Sequence, residues 1–544
     1  MKPFQAYETG GPPRSRGTKQ GALADMGIAV VVACFLLLCA CGLFAQTKAP
    51  AGSMGPLRVD PKNSHYFIRP DGHVVFLTGS QTWNVFQGMG TSIAPNPTDL
   101  HAFIRFLKAH GHNVTILWKK DLPIDCGWRA GGIWYIAPFP FQRTGGPGGK
   151  QRARDGLPAF DLSQYNHAYF DSLRRRALEL QRNGIYAIVQ LFDGLQLIDS
   201  RCRNDGYPFS AGNNVNGVDD GYRPGQSGTG SMTMSASNNL VHYQDAYAKK
   251  LIDTLNGLPN ILWEVSEEAP LDSQWWQNHM IGLIHAYEAG GAWEGERYPP
   301  KPFQHPVGVG GLQCPGNDAF LYATAADWIA PSVGCGSSAV ASPDNRGHVI
   351  INDSDHSFYY TRFVDPAGNV VNRKARNFIW ENFTHGASVL FMDPYEVNWA
   401  SGDRNVCPQP VNGICPAPDP KYDNLRDNLG YTLRYAERMN LAGMTPRGSL
   451  SSTGYCLANL NDSGAEYLVY APSGGMFTLN LTATRSPLKV EWFDPASGKT
   501  TLAGTVRGGV SAREFTAPFT GDAVLYLAET PFTSSSRSAL REHK

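Results

Sequence analysis

The chain has 544 residues, 42% of them hydrophobic, which is enough for two to four domains with a large core. Lys+Arg and Asp+Glu both number 47, so the net charge is zero. That balance excludes the basic footprint of a nucleic-acid binder and the one-signed surface of a polyelectrolyte binder.

The N-terminus reads as a targeting segment. Lys2, Arg14, Arg16 and Lys19 precede an apolar run from Met26 to Ala45 that ends in small residues. A basic region followed by such a run is a secretory signal, with cleavage expected after Ala45. The run is also long enough to be kept as a membrane anchor, and Leu38-Cys39-Ala40-Cys41 is a poor lipoprotein acceptor. Each outcome places the rest of the chain outside the cytoplasm, secreted or at the periplasmic or cell surface. Seven cysteines lie beyond the segment without a C-x-x-C spacing, so no metal site is expected. Pairs are expected there: Cys314–Cys335, Cys407–Cys415 and Cys126–Cys202, leaving Cys456 over.

Residues 46–56 form a Gly/Pro/Ala linker. Val74-Val75-Phe76-Leu77 reads as a first strand, ending in a polar stretch that holds Trp83 and Asn84. Apolar residues at Leu100, Phe103, Ile104 and Leu107 mark a helix that Gly111 closes. Strand two is 113–118, ending at Trp118, and 119–165 reads as a long irregular stretch of the kind that borders active sites. Tyr169, Leu173, Ala177 and Leu180 mark the next helix; strand three, 185–192, ends at Asp193. A polar loop, 199–237, and a helix bearing Leu240, Tyr247, Leu251 and Leu255 follow.

Strand four is the most informative stretch. Ile261-Leu262-Trp263 runs straight into Glu264-Val265-Ser266-Glu267-Glu268. An apolar run opening into carboxylates reads as a buried strand whose C-terminal end faces a polar site. Burial beside Trp263 would raise the pKa of such a carboxyl and fit it to donate a proton. An acidic start to the next helix is the plainer alternative. Strands five to eight are read at 305–310, 328–330, 348–352 and 388–392. Strand seven ends in Asp353-Ser354-Asp355-His356 and strand eight in Asp393. Eight strands alternating with helices predict a (β/α)8 barrel over residues 57–440. Short strands with Gly- and Asp-Pro-rich turns predict a β-sandwich over 441–530, followed by a disordered tail, 531–544.

Two carboxylates across one barrel mouth are what glycoside hydrolysis requires, one to protonate the leaving oxygen and one to attack or to activate water. Glu264 is read as a supporting residue within the strand, and Glu267 as the freer one. Glu264-Val265-Ser266-Glu267-Glu268 resembles the strand-four motif of clan A glycoside hydrolases, E-x-x-N-E-P, whose second Glu is the acid/base. That role is placed on Glu267, with Ser266 where the motif has Asn and Glu268 where it has Pro. The stretch 57–530 further resembles the apiosidase-like barrel family that carries a C-terminal collagen-binding-type module. Asp71–Leu77 with Trp83, Pro259–Glu264, Ile351–His356, His385-Gly386-Ala387, Phe391–Tyr395 and Glu491–Gly498 carry the likeness. The resemblance implies a strand-seven nucleophile at Asp355, where many relatives have Glu.

The sequence thus predicts a glycoside hydrolase, retaining in mechanism, with Glu267 and Asp355 catalytic. Trp83, Asn84, Trp118, Asp193, Glu264, Ser266, Asp353, His356 and Asp393 are the expected carbohydrate contacts. No cofactor and no metal are expected, and a monomer is. The competing expectation is a non-catalytic barrel that grips glycan or matrix protein, with the sandwich as adhesin.

Overall fold

The computed structural model describes residues 54–90, 93, 95–125, 134–199, 206–221, 230–232, 238–312, 318–331, 340–353, 371–393, 395, 418–461 and 464–529. The targeting segment, the tail and Ser354, Asp355 and His356 lie outside the described residues. So do the six cysteines of the three expected pairs. Cys456 is described; it is buried with a free thiol, and burial pushes its pKa up to about 12.

Eight parallel strands form the barrel: β1 (Gly79–Gln81), β2 (Val114–Leu117), β3 (Tyr186–Asp193), β4 (Ile261–Glu267), β5 (Val307–Val309), β6 (Trp328–Ile329), β7 (Val349–Asp353) and β8 (Ser388–Met392). Their order around the sheet is β1-β8-β7-β6-β5-β4-β3-β2. Between β1 and β2 the closure runs through Asn113. Its backbone N donates to Thr78 O at 3.0 Å, and its side chain bonds Thr78 N at 2.9 Å and Phe76 O at 2.8 Å. Gly79 permits this approach, since a Cβ there would lie 2.2 Å from Val114 O. Strands β2, β3 and β4 are buried along their whole length, as parallel strands covered on both faces are.

The helices follow the expected periodicities. In α1 (Leu100–Ala109), Phe103, Ile104 and Leu107 are buried, and Asp99 caps the N-terminus by accepting from His101 N and Ala102 N. In α2 (His167–Arg182), Asn166 caps and Tyr169, Leu173, Ala177 and Leu180 face inward. The remaining long helices are α3 (Asn238–Leu255), α4 (Gln274–Ala289), α5 (Asn372–Thr384) and α6 (Asp423–Arg438).

Two expectations are corrected. Val74–Val75 is not a barrel strand: it pairs antiparallel with Phe67–Ile68 in a small three-stranded sheet, and the barrel begins at Gly79. The β-prone run is the same, but the Asn113 side chain captures Phe76 O and redirects the chain. The stretch 119–165 is not irregular throughout. Trp134–Ala137 pairs with Gly88–Gly90 and with Ile124–Asp125, and Phe141–Arg143 pairs with Phe160–Tyr165.

The C-terminal domain is antiparallel. Its six-stranded sheet runs Thr445–Pro446, Cys456–Asn459, Glu466–Ala471, Ala523–Ala528, Pro487–Asp494 and Lys499–Arg507, and a two-stranded sheet pairs Met476–Leu479 with Arg513–Thr516. Alternation along the central strands sends side chains to two cores. Tyr467, Val469, Leu525 and Leu527 pack with Phe477 and Phe515 of the small sheet. Leu468, Tyr470, Val524 and Tyr526 pack instead against Trp380, Phe383 and Tyr435 of α5 and α6. Arg376 on α5 adds a buried ion pair to Asp522 at 2.7 Å. Barrel and sandwich therefore share a core.

Candidate active site

The C-terminal ends of β1–β8 form the barrel mouth, where parallel α/β barrels place their sites. Strand β4 brings Glu264, Ser266 and Glu267 there, exposed by 2%, 0% and 1%. A methyl group on Gly310, just beyond β5, would lie 2.6 Å from Glu267 Oε2 and 3.2 Å from Glu264 Oε1. Both carboxyls therefore border one small volume beside Gly310. Ser266 O accepts from Gly310 N at 3.1 Å, which fixes β5 against β4.

The spacing of the E-x-x-N-E-P motif can be set on this stretch residue by residue. With the motif's first glutamate at Glu264, its Asn position is Glu267 and its second glutamate is Glu268, one residue beyond the register expected from the sequence. Glu267 is still part of the strand. Glu268 leaves it with φ of 42°, in the left-handed region, and is partly exposed. A glutamate held there carries about 1–3 kcal/mol of backbone strain, a feature concentrated at functional sites. Close packing from β3 imposes the turn, since a Cβ on Gly194 would come within 2.4 Å of Glu268 O.

Trp263 does not sit beside these carboxyls. Its indole points to the helix side, where Nε1 donates to Glu288 Oε1 at 3.0 Å, and Glu288 also takes His305 Nδ1 at 2.8 Å. Burial of the acids comes from the barrel interior instead.

Next to β4 stands a charged cluster of which the sequence reading names only Asp193. Asp193 is the register partner of Glu267 and receives Lys120 Nζ at 2.5 Å. Its backbone N donates to Asp121 Oδ2 at 2.5 Å, and Lys119 pairs with Asp121. All four side chains are buried. Burial, the largest influence, raises the Asp121 carboxyl above the usual range, and Lys119 only partly offsets it. The available signal is two lysines and an aspartate directly after an apolar strand, at the start of the stretch read as irregular.

Lys120 also stands against two of the expected carbohydrate contacts, Trp83 and Trp118. Its ammonium lies 4.8 Å from the Trp83 ring and 4.7 Å from the Trp118 ring, and each tryptophan is 1% exposed. Cation–π contact makes them a wall of the cluster rather than open stacking faces. Asn84 is buried beside them, its carbonyl accepting from Thr98 N at 2.9 Å.

On the far side of the mouth, Asp353 ends β7 and is approached by Gln81 Nε2 at 3.5 Å. Asp355 and His356 follow it in sequence, outside the described residues. Asp393 is placed as a structural group, not as a substrate contact. Arg426 from α6 grips both of its oxygens at 2.6 and 2.8 Å, and Ser80 donates at 3.0 Å. Among the described residues, no group of His, Cys, Asp and Glu suits a metal ion. In the 206–221 loop the Asn214 amide donates to three backbone carbonyls, Pro208, Ser210 and Val218, and so gathers the loop itself.

Comparison with known proteins agrees with this architecture. Residues 448–528 match the family model described as "Putative collagen-binding domain of a collagenase". No curated protein sequence matches the chain. A solved structure of a glycoside hydrolase superposes with a TM-score of 0.54 at 13% identity, over 88% of this chain and 98% of that one. A glycoside hydrolase family 5 protein from Bacteroides vulgatus gives 0.52 at 14% identity, over 90% and 96%. At such identities the likeness establishes the fold, a (β/α)8 barrel followed by an antiparallel sandwich.

Proposed function

We propose that the chain is a glycoside hydrolase of the apiosidase-like kind, acting outside the cytoplasm on O-glycosidic bonds of an oligo- or polysaccharide. The observation that carries the reading is the end of β4. Three carboxylates gather there at a barrel mouth, one in a left-handed conformation. Glu268 is the proton donor in this reading. It is partly exposed, whereas Glu267 is enclosed beneath it beside Glu264, in the position of the motif's Asn. Asp355, just past the end of β7, supplies the opposing carboxylate. With Asp355 as nucleophile the reaction proceeds through a glycosyl ester and retains configuration. Glu268 first protonates the departing oxygen, then takes a proton from the water that opens the ester.

The test is turnover by Glu268→Gln, Glu267→Gln and Asp355→Asn on aryl glycosides and soluble polysaccharides. Loss of a general acid should reduce cleavage of natural glycosides by about 10²–10⁴-fold. It should spare the first step on dinitrophenyl glycosides, whose leaving group needs no proton. Near-normal turnover by both Glu268→Gln and Glu267→Gln would remove β4 from the chemistry. A binding-only reading draws on the collagen-binding-type match of residues 448–528. Glycan binding with no released sugar at high protein concentration and long times would favour it.

A further inference from the structure

Apart from the barrel mouth, the long connection between β2 and α2 encloses a recess of about 580 Å³. This lies within the ~300–1,000 Å³ typical of small-molecule sites. Its lining has two kinds of surface. Tyr135, Phe139, Phe141 and Phe160 supply aromatic rings, and Gln142, Arg143 and Asp155 supply planar polar groups. The Arg143 guanidinium carbon stands 3.9 Å from the centre of the Phe160 ring, and Arg143 pairs with Asp155 through both nitrogens of its fork. The charges at this wall therefore cancel, so the recess selects neither an anion nor a cation.

Two large apolar side chains flank the opening, Ile93 at 73% and Leu157 at 45% exposure. Single exposed apolar residues need no explanation, but two at the rim of one aromatic recess describe a contact surface. The half-buried ring of Tyr135, backed by buried Phe139 and Phe141 and set among hydrogen-bonding planes, matches a pyranose, which is apolar on its C–H faces and polar at its edges.

The recess is also tied to the barrel mouth. Gln87 Nε2 donates to the backbone O of Pro138, which lies between the lining residues Ala137 and Phe139, at 2.7 Å, and Gln87 Oε1 accepts from Lys120 N at 2.5 Å. Lys120 in turn holds Asp193, the register partner of Glu267 on β4. We propose that this recess is a binding site for a neutral saccharide chain, separate from the point of cleavage and held rigidly to it. The proposal rests on the glycoside hydrolase reading for its choice of ligand but not for its test.

The experiment is affinity electrophoresis of the full chain in gels containing xyloglucan, arabinoxylan, galactomannan or mixed-linkage β-glucan, with polygalacturonate as the anionic comparison. At least one neutral polymer should retard the protein, and Tyr135→Ala should weaken that retardation by about tenfold in association constant. Gln142→Ala, at an exposed position that burdens folding little, should weaken it as well; thermal melting reports whether each variant is folded. Glu268→Gln should be retarded like the parent protein, so a failed catalytic assignment leaves the binding result readable. Retardation by none of the neutral polymers, stronger retardation by polygalacturonate, or folded Tyr135→Ala and Gln142→Ala proteins retarded like the parent would each overturn the proposal.

Discussion

Removing the guanidinium of Arg426 tests how the barrel mouth is held. Asp393 and Arg426 have no exposed side-chain surface, and two contacts of 2.6 and 2.8 Å join them. Nη1 of Arg426 is used as well, by Asp419 O and Asp423 Oδ1, both at 2.8 Å. Burial works against the guanidinium's charge, but Asp393 and Asp423 outweigh it and raise its pKa. Arg426→Met keeps most of the side-chain volume yet leaves the Asp393 carboxyl enclosed with only Ser80 as donor among these contacts. Breaking a buried pair in this way costs about 3–5 kcal/mol. Urea denaturation of Arg426→Met, Asp393→Asn and the double variant should show losses that are far from additive, with a coupling of about 1–3 kcal/mol. A loss under about 1 kcal/mol for Arg426→Met would refute the structural assignment. So would an Asp393→Asn protein that unfolds like the parent but has a lowered kcat/KM, the signature of a substrate contact.

Three further outcomes are expected. Gly310→Ala sets a methyl group 2.6 Å from Glu267 Oε2 and 2.9 Å from Ser266 O. It should cost about 1–3 kcal/mol by denaturation and reduce turnover by about 10²-fold through displaced carboxylates; unchanged turnover would show that the β4 side chains move freely. Burial of His112, the largest influence on it, holds its pKa at about 4 against 6.5 for a free histidine. The unfolded chain therefore binds this proton first as pH falls, so the contribution of His112 is complete above pH 6.5 and is lost towards pH 4, by about 3 kcal/mol at most. A His112→Gln variant should show a flatter acid limb in stability against pH. Trp380 is fully buried, bonds Asn428 at 2.8 Å and stacks on Tyr470 at 6.2 Å. Its replacement by Ala should cost about 3–5 kcal/mol, and calorimetry should show barrel and sandwich melting in one transition; two transitions would contradict a shared core.

How far the sequence reveals this protein depends on the range of the forces involved. Strands β2, β3 and β4, and the faces of α1 and α2, are visible because burial on a regular element imprints a local period, as at Phe103, Ile104 and Leu107. The eight-fold alternation follows from the same signal. Val74–Val75 misleads because its β propensity is real while its partner, Phe67–Ile68, is set by tertiary pairing. Lys119 and Lys120 are hidden for a similar reason. A lysine pair usually marks solvent, and only the approach of Asp121 and Asp193 makes burial tolerable. Arg426 lies 33 residues from Asp393, on another element, so nothing local announces the pair. At β4 the sequence shows that acids gather, but where the strand ends and the left-handed φ of Glu268 are set by packing that no composition displays.

The shared core also constrains what residues 448–528 can do. A binding module that works at a distance from its enzyme needs a surface of its own and a linker that lets it move. Here one face of the six-stranded sheet is spent on α5 and α6, through Tyr470, Phe493 and Tyr526 packed around Trp380 and Tyr435. The other face is covered by the two-stranded sheet. Among the described residues, the outer strand Lys499–Arg507 is exposed along almost its whole length, with Leu502 at 72%, and so are Met476, Arg513, Glu514 and Thr516 on the outer side of the two-stranded sheet. A partner meeting either surface would meet a part of the domain that is not spent on the barrel. Because the sheet is fixed on helices that follow β7 and β8, such a contact would be held in constant register with the barrel mouth. The domain thus packs on the half of the barrel that carries Asp353, and any binding it performs keeps that packing intact.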